Sequence, residues 1–382
     1  MGHWKTKTKV CVLIVLAICL YALSRFKAPY QRRESPFREA SEFPAIENRK
    51  MDNNGSPKQR NVEVVDTGMA FGKTDKPCHP INKFVYIKTV KTGSSTLSTI
   101  LFRYGLKNGL IAALQQLGSP VISYSESTEN YDILRYDCKN FSGYNFIANH
   151  IKYHHTAMDN LIKDAKYFTI LRFPYTLLRS FFFYFDRFKS LRNHSSESQS
   201  FLAYLKSKRE KYDRYGQVSE NENSLSSRLG IRINDTNLLM DEIRKLDSEL
   251  DLVMLNEYYD ESLILLKKVM CWQFEDIIYY VQKVSKTPLP PITDEMADII
   301  DKLSAVDIQL YNHFNKTFWR KVERYDGNFT ADLAQFRELQ KKISGKCETE
   351  RMTDYCTMLR RDALPMTKFV YRSQMKWRCE DP

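Results

Sequence analysis

Residues 84–104 read FVYIKTVKTGSSTLSTILFRY, and this stretch decides the architecture. Phe84, Val85, Tyr86 and Ile87 are a short β-branched and aromatic run of the kind that makes a buried strand. A turn rich in Lys, Thr, Gly and Ser follows. Leu97, Ile100, Leu101 and Tyr104 then recur at three- and four-residue spacing, which lines them along one helix face. In such a strand-turn-helix the first backbone N–H groups of the helix point unpaired into the turn, and the helix dipole adds partial positive charge there. The turn is therefore suited to hold an anion. Lys88 and Lys91 add full charges, Thr92 and Gly93 form the bend, and Gly93 lets backbone approach a ligand closely. Ser94, Ser95 and Thr96 bring hydroxyl donors, although the same residues would also serve as plain helix caps. The Walker pattern is absent because the lysine precedes the glycine, so a nucleoside-triphosphatase reading loses its main support.

Working outward, the same alternation returns. Tyr144–Asn149 predicts a strand ending at His150, and Thr156 is a candidate cap for a helix that follows it. Tyr167–Leu171 predicts another strand, ending at Arg172, with Pro174 opening a helix that carries Ser180. Leu252–Leu255 is the next strand and Glu261–Met270 the helix after it. Val121–Tyr124 is a further short strand. The polar stretch Lys189–Ser200 and the charged stretch Lys206–Ser227 read as surface excursions around helical turns. From Trp272 to Phe336 the pattern is mostly helical, interrupted by Pro288, Pro290 and Pro291. Strands alternating with helices predict an α/β fold: a parallel sheet flanked by helices, with a largely helical C-terminal part and functional groups at the strand C-terminal ends. Lys91, His150 and Arg172 each follow such an end. Parallel neighbours would gather them at one edge.

The chain has 382 residues, 43% of them hydrophobic, which suffices for one large core or two modest ones, and one catalytic domain is expected. Its formal charge of +12 suits nucleic acid, an anionic membrane or an acidic small ligand, and composition does not choose among them. Topology does. Val10–Leu23 is an unbroken apolar run, flanked by Lys5, Lys7 and Lys9 before it and Arg25 and Lys27 after it. We read residues 1–9 as a cytoplasmic tail, 10–24 as a transmembrane signal anchor, 25–77 as a luminal stem poor in apolar periodicity, and 78–382 as one catalytic domain. A cleaved signal peptide is the alternative for the apolar run. Asn54, Asn140, Asn193, Asn234, Asn315 and Asn328 each open an N-x-[ST] sequon, which suits a luminal glycoprotein. Outside the apolar run lie Cys78, Cys138, Cys271, Cys347, Cys356 and Cys379, with no zinc spacing among them, so disulfides are expected and their pairing stays open. Nucleic acid is not expected as a partner.

Three segments carry a resemblance: KTVKTGSST at 88–96, NHIKY at 149–153 and LRFPYTLLRS at 171–180. They resemble sulfotransferases, and LDLVMLNEYYDESLILLKKVMCWQFEDI at 250–277 with DIQLYNHFNKTFW at 307–319 resemble specifically the galactose 3-O-sulfotransferases of the Golgi. The resemblance runs from about Cys78 to the C-terminus. It implies a P-loop-like sulfotransferase fold and transfer of a sulfuryl group from 3′-phosphoadenosine 5′-phosphosulfate (PAPS) to the 3-hydroxyl of a terminal galactose. It also implies a glycolipid or glycan acceptor, PAP as the second product, no metal, and a single-pass type II Golgi membrane protein with its catalytic domain in the lumen. Carried onto this sequence, Lys88, Lys91, Thr92, Gly93, Ser94, Ser95 and Thr96 would wrap the 5′-phosphosulfate. Arg172 and Ser180 would hold the 3′-phosphate. Lys91 would assist the leaving nucleotide and His150 would act as the base. One departure stands out: many sulfotransferases place an acidic or amide residue before the proline of LRFPYTLLRS, and this chain has Phe173. Glu257, Asp260 and Glu261 could bind acceptor hydroxyls or simply favour a helix N-terminus. Two other classes remain open at this point, a luminal nucleotide-dependent phosphotransferase, which would need Mg²⁺, and a non-catalytic protein that binds anionic glycans in a basic cleft.

Overall fold

The computed structural model describes residues 78–375 apart from 128–129, 137, 139–140, 186–195, 233–236, 283–288 and 351–352. Its strands are β1 Phe84–Ile87, β2 Tyr124–Ser125, β3 Asn130–Tyr131, β4 Phe146–Ile147, β5 Lys166–Leu171 and β6 Leu252–Leu255. β4, β1, β5 and β6, in that order, make one parallel sheet, while β2 and β3 form a small antiparallel pair. Every residue of β1 and of β6 is buried, as a parallel strand covered on both faces requires. Register pairs Val85 with Ile147, Ile87 with Thr169 and Leu171 with Leu255, so all four strands finish at one edge. Phe84 stacks on Phe146 at 5.0 Å between ring centroids and Tyr86 on Phe168 at 5.6 Å, which locks neighbouring strands through their side chains.

The helices are α1 Ser94–Lys107, α2 His155–Leu161, α3 Pro174–Tyr184, α4 Glu197–Tyr215, α5 Ser224–Arg228, α6 Leu239–Glu249, α7 Tyr259–Met270, α8 Asp294–Leu303, α9 Ala305–Glu323, α10 Phe329–Thr349, α11 Asp354–Arg360 and α12 Ala363–Gln374. In α1 the four residues picked out by spacing, Leu97, Ile100, Leu101 and Tyr104, are all buried. Pro174 opens α3 as expected. The α/β architecture with a helical C-terminal part is the one the pattern predicts.

Four local expectations change. Val121 meets a partner at one residue only, a bridge to His150, so its ladder does not propagate and the strand begins instead at Tyr124. The strand at 144–149 shortens to Phe146–Ile147, because Asn145 Oδ1 accepts from Ile111 N at 2.8 Å and Asn149 Nδ2 donates to Ser119 O at 3.2 Å, turning both flanks toward loops. The cap of α2 is His154 rather than Thr156: its Nδ1 accepts from Ala157 N at 3.4 Å. The largest change is α4, one continuous helix of 19 residues that joins the end of the polar stretch, the intervening residues 201–205 and the start of the charged stretch, where surface excursions around helical turns were expected. Phe201, Tyr204 and Leu205 lie on one face of it and pack against Phe182, Met296, Ile299, Ile300 and Leu303. Dense charge on the other face hides that narrow stripe from a reading of mean polarity.

Cys78 is joined to Cys271, which ties the approach to β1 to the end of α7, and Cys347 to Cys356, which ties α10 to α11. Cys138 is also disulfide-bonded. The first link closes 193 residues and the second 9. If loop-closure entropy governs, Cys271→Ser costs about 5 kcal/mol and Cys347→Ser about half of that. Denaturant unfolding of the two variants checks the order; a larger loss for Cys347→Ser would reject the entropic account. Among the described residues no helix is long and apolar enough to cross a membrane. The apolar run at 10–24, the stem, Asn54, Asn140, Asn193, Asn234 and Cys379 lie outside the described residues. Asn315 sits in α9, and exposed Asn328 caps α10 by accepting from Ala331 N at 2.9 Å.

Candidate active site

The sheet delivers four chain reversals to one edge, in the spatial order His150, the 88–93 loop, Arg172 and Asn256–Glu257. The loop between β1 and α1 binds its two neighbours through its own backbone. His150 Nδ1 lies 3.2 Å from the Lys88 carbonyl oxygen. A carbonyl only accepts, so Nδ1 carries the proton in this contact, and in the neutral ring Nε2 then keeps the lone pair. On the other side Arg172 donates from Nη1 to the Lys91 carbonyl at 3.1 Å and from Nε to Thr176 Oγ1 at 3.0 Å. Residues 62 and 81 apart in sequence thus meet across one loop.

The loop is braced from inside. Thr89 Oγ1 hydrogen-bonds the Ile170 carbonyl and lies 2.8 Å from Thr92 Oγ1, and Ser94 Oγ donates to Thr89 O at 2.7 Å. Thr96 Oγ1 accepts from Gln282 N at 3.2 Å. Thr92, Ser94 and Thr96 are buried, whereas Ser95 is half-buried. The hydroxyl of Ser94 therefore serves the loop, leaving its backbone N–H to face the turn. Gly93 caps α1 with φ 73° and ψ 6°, and the helix has neither a side-chain cap nor an acid in its first turn. An uncapped helix start beside cationic side chains is what an anion requires.

The cations are disposed around that start. Lys88 is buried, unusual for a lysine. Lys91 has φ 61°, and its ammonium lies 3.5 Å from the centroid of the Tyr184 ring. Thr176, Ser180 and Tyr184 are spaced by four on α3, so Ser180 falls on the stripe between the residue that meets Arg172 and the one that meets Lys91. Ser180 is itself buried. Of the three acids that follow β6, Glu257 before α7 and the other two in its first turn, Asp260 accepts from Tyr279 Oη at 2.8 Å and Arg337 Nε at 3.0 Å, and Glu261 from Arg337 Nη2 at 2.9 Å. Glu257 accepts from Phe173 N at 2.7 Å and Tyr311 Oη at 3.0 Å. All three have structural partners.

Residues 5–366 match the family model described as galactose-3-O-sulfotransferase. The chain belongs to the galactose-3-O-sulfotransferase family. Galactosylceramide sulfotransferase of Mus musculus is 30% identical over 280 residues, covering 71% of this chain and 65% of that protein. Its Homo sapiens counterpart is 31% identical over 280 residues, with the same coverage of 71% and 65%. Galactose-3-O-sulfotransferase 2 of Mus musculus is 28% identical over 285 residues, covering 70% of each chain. The match thus spans about two thirds of the length of these relatives.

Within this galactose-3-O-sulfotransferase family member the structure brings Lys88, Lys91, His150 and Arg172 to one edge and places Thr92 to Thr96 at the helix start beside them. Sequence reasoning did not find Thr89, Thr176, Tyr184, Asn256 or Tyr259, which hold that arrangement. Thr89 had a signal, since it stands inside the turn; the others are distant in sequence and acquire their roles by packing.

Proposed function

We propose that this chain transfers a sulfuryl group from PAPS to the 3-hydroxyl of a terminal galactose on a glycolipid or glycoprotein glycan. Family membership supports the reaction class. The observation that carries the reading is the His150–loop–Arg172 chain of contacts around the uncapped start of α1. These residues fit a doubly anionic nucleotide: the backbone N–H groups of Ser94 and Ser95 with the Ser95 hydroxyl would meet one phosphate, while Thr96, bonded to Gly93 O and Gln282 N, braces the turn, and Arg172 with Ser180 offers a second anchor along α3. When bound, PAPS supplies the activated sulfuryl group. Lys91 contributes positive charge where the nucleotide departs, and alignment with charge stabilisation is the main work of such a site. His150 accepts the proton of the attacking hydroxyl at Nε2, its ring held by the Lys88 carbonyl.

Transfer of labelled sulfate from PAPS to a panel of galactose-terminated acceptors, with linkage analysis, tests the reading; no transfer, or sulfate at a position other than O3, would reject it. Arg172→Ala should weaken PAPS about 10- to 100-fold, since hydrogen bonds to charged groups contribute about 1.5–3 kcal/mol. The same donor lacking its 3′-phosphate should bind Arg172→Ala and wild type alike. Equal weakening of both donors would assign Arg172 another role. We further propose a type II Golgi membrane protein with residues 78–382 in the lumen, a reading supported by the disulfides Cys78–Cys271 and Cys347–Cys356. Protease protection and glycosidase sensitivity in intact microsomes check it.

A further inference from the structure

Arg172 closes β5, and the residue after it opens a strand-to-helix junction that its own sequence does not secure. Phe173 has φ −54° and ψ 124°, and it provides no side-chain cap to α3. Its ring packs on Tyr175 at 4.7 Å and Tyr311 at 5.4 Å, so it brings bulk and no acceptor. The acceptor arrives from the next strand. Glu257, just past β6, takes the Phe173 N–H on Oε1 at 2.7 Å, and Tyr311 of α9 donates its hydroxyl to Oε2 at 3.0 Å. Both carboxylate oxygens are thereby directed: one grips the backbone immediately after Arg172, the other is held by a helix on the far side. Burial pushes the Glu257 carboxyl above its ordinary range, and the Phe173 N–H, the nearby Arg172 charge and the Tyr311 hydroxyl each pull it back. A group placed at such a desolvation cost, and compensated by these partners, fixes geometry.

We propose that Glu257, held by Tyr311, is a positioning residue for the Arg172 junction, and that through it the site selects a nucleotide donor bearing a phosphate on its ribose. The inference rests on the donor reading above. The mechanism is geometric. The guanidinium of Arg172 must leave the sheet at one angle to meet both Thr176 and the Lys91 carbonyl, and that angle is set by the peptide between Arg172 and Phe173. Losing the Glu257 grip lets this peptide rotate, and a shift on the order of 1 Å at a binding group is costly. The 88–96 loop has braces that do not pass through Glu257, Thr89 Oγ1 on the Ile170 carbonyl and Ser94 Oγ on Thr89 O, so the 5′ side of the donor should feel little.

The test is equilibrium binding of PAPS and of the same nucleotide lacking its 3′-phosphate to wild type, Glu257→Ala, Glu257→Gln and Tyr311→Phe, with a thermal melt of each. Glu257→Ala should lose about tenfold or more of its PAPS affinity and keep its affinity for the second donor within about twofold, consistent with one charge-assisted hydrogen bond acting through the junction. Glu257→Gln keeps an oxygen for the Phe173 N–H and should recover most of the preference; Tyr311→Phe should fall between. Equal losses for both donors would overturn the proposal, as would an unchanged preference in Glu257→Ala. Should Glu257→Ala fail to fold, an unchanged preference in Tyr311→Phe overturns it. Wild type that binds the two donors equally would sink the donor reading itself, a result distinct from the variant outcomes.

Discussion

On the proposed reading, His150→Ala should lower turnover by about 10²- to 10⁴-fold while PAPS affinity changes little. An alkoxide is too basic to form ahead of attack near neutral pH, so the hydroxyl proton must leave as the new S–O bond forms. Imidazole suits that transfer when its orientation is fixed. The structure fixes it: Nδ1 faces the Lys88 carbonyl at 3.2 Å, and the backbone on either side is pinned, His150 N to Pro120 O at 2.9 Å and Ile122 N to His150 O at 2.7 Å. Two nearby histidines make the comparison sharp. His154 caps α2 and stacks on Tyr124 at 5.0 Å, and His155 packs on Tyr167 at 5.2 Å. His154→Ala should cost about 0.5–2 kcal/mol of stability as a lost cap, with turnover near that of wild type. His155→Ala should likewise leave turnover near normal. Single-turnover rates with saturating donor measure the chemical step for all three. Near-normal turnover in His150→Ala, or a loss as great in His154→Ala, would remove the assignment.

Gly93→Ala carries the second large effect, and it acts on fold and site together. At φ 73° a side chain is disfavoured by about 1–2 kcal/mol. Space is the further obstacle, because a Cβ there would stand 2.7 Å from Asn256 Nδ2 and 3.1 Å from Tyr259 Cε2. Relieving that overlap costs about 1–3 kcal/mol more, for a total of about 2–5 kcal/mol. The Asn256 amide is the end of a side chain and can swing aside, but the Tyr259 ring is buried, so the loop must also shift away from it, which carries the first N–H groups of α1 away from the donor. Donor affinity should fall by about 10²-fold, the scale of a 1 Å misplacement. Gly109 is the control: it too has positive φ, at +65°, yet nothing lies within 4 Å of an added Cβ. Gly109→Ala should therefore pay the backbone cost alone and keep donor binding. Denaturant unfolding and donor titration of the pair decide the matter; a Gly93→Ala protein as stable as Gly109→Ala, with intact binding, would refute the close-packing explanation.

What could be read from residues alone was whatever has a local period or a local motif. The strands Phe84–Ile87 and Leu252–Leu255 and the buried face of α1 follow from apolar spacing, because a helix or strand repeats within a few residues and its burial repeats with it. Lys91, His150 and Arg172 were legible as candidates for the same reason: each follows a strand, and a parallel sheet sends such positions to one edge. Tertiary structure alone decided the rest. It chose Cys78–Cys271 and Cys347–Cys356 among the fifteen pairings that six cysteines allow. It joined parts of a polar and a charged stretch into α4, whose three apolar anchors between those stretches gain meaning only from the face of α8 they meet. It also converted Glu257 from a candidate acceptor ligand into the partner of Phe173 N and Tyr311. In each case the partner lies many residues away. Local sequence specifies which groups need a partner, through burial and hydrogen-bonding demand, but strand order and helix packing determine which distant group supplies it.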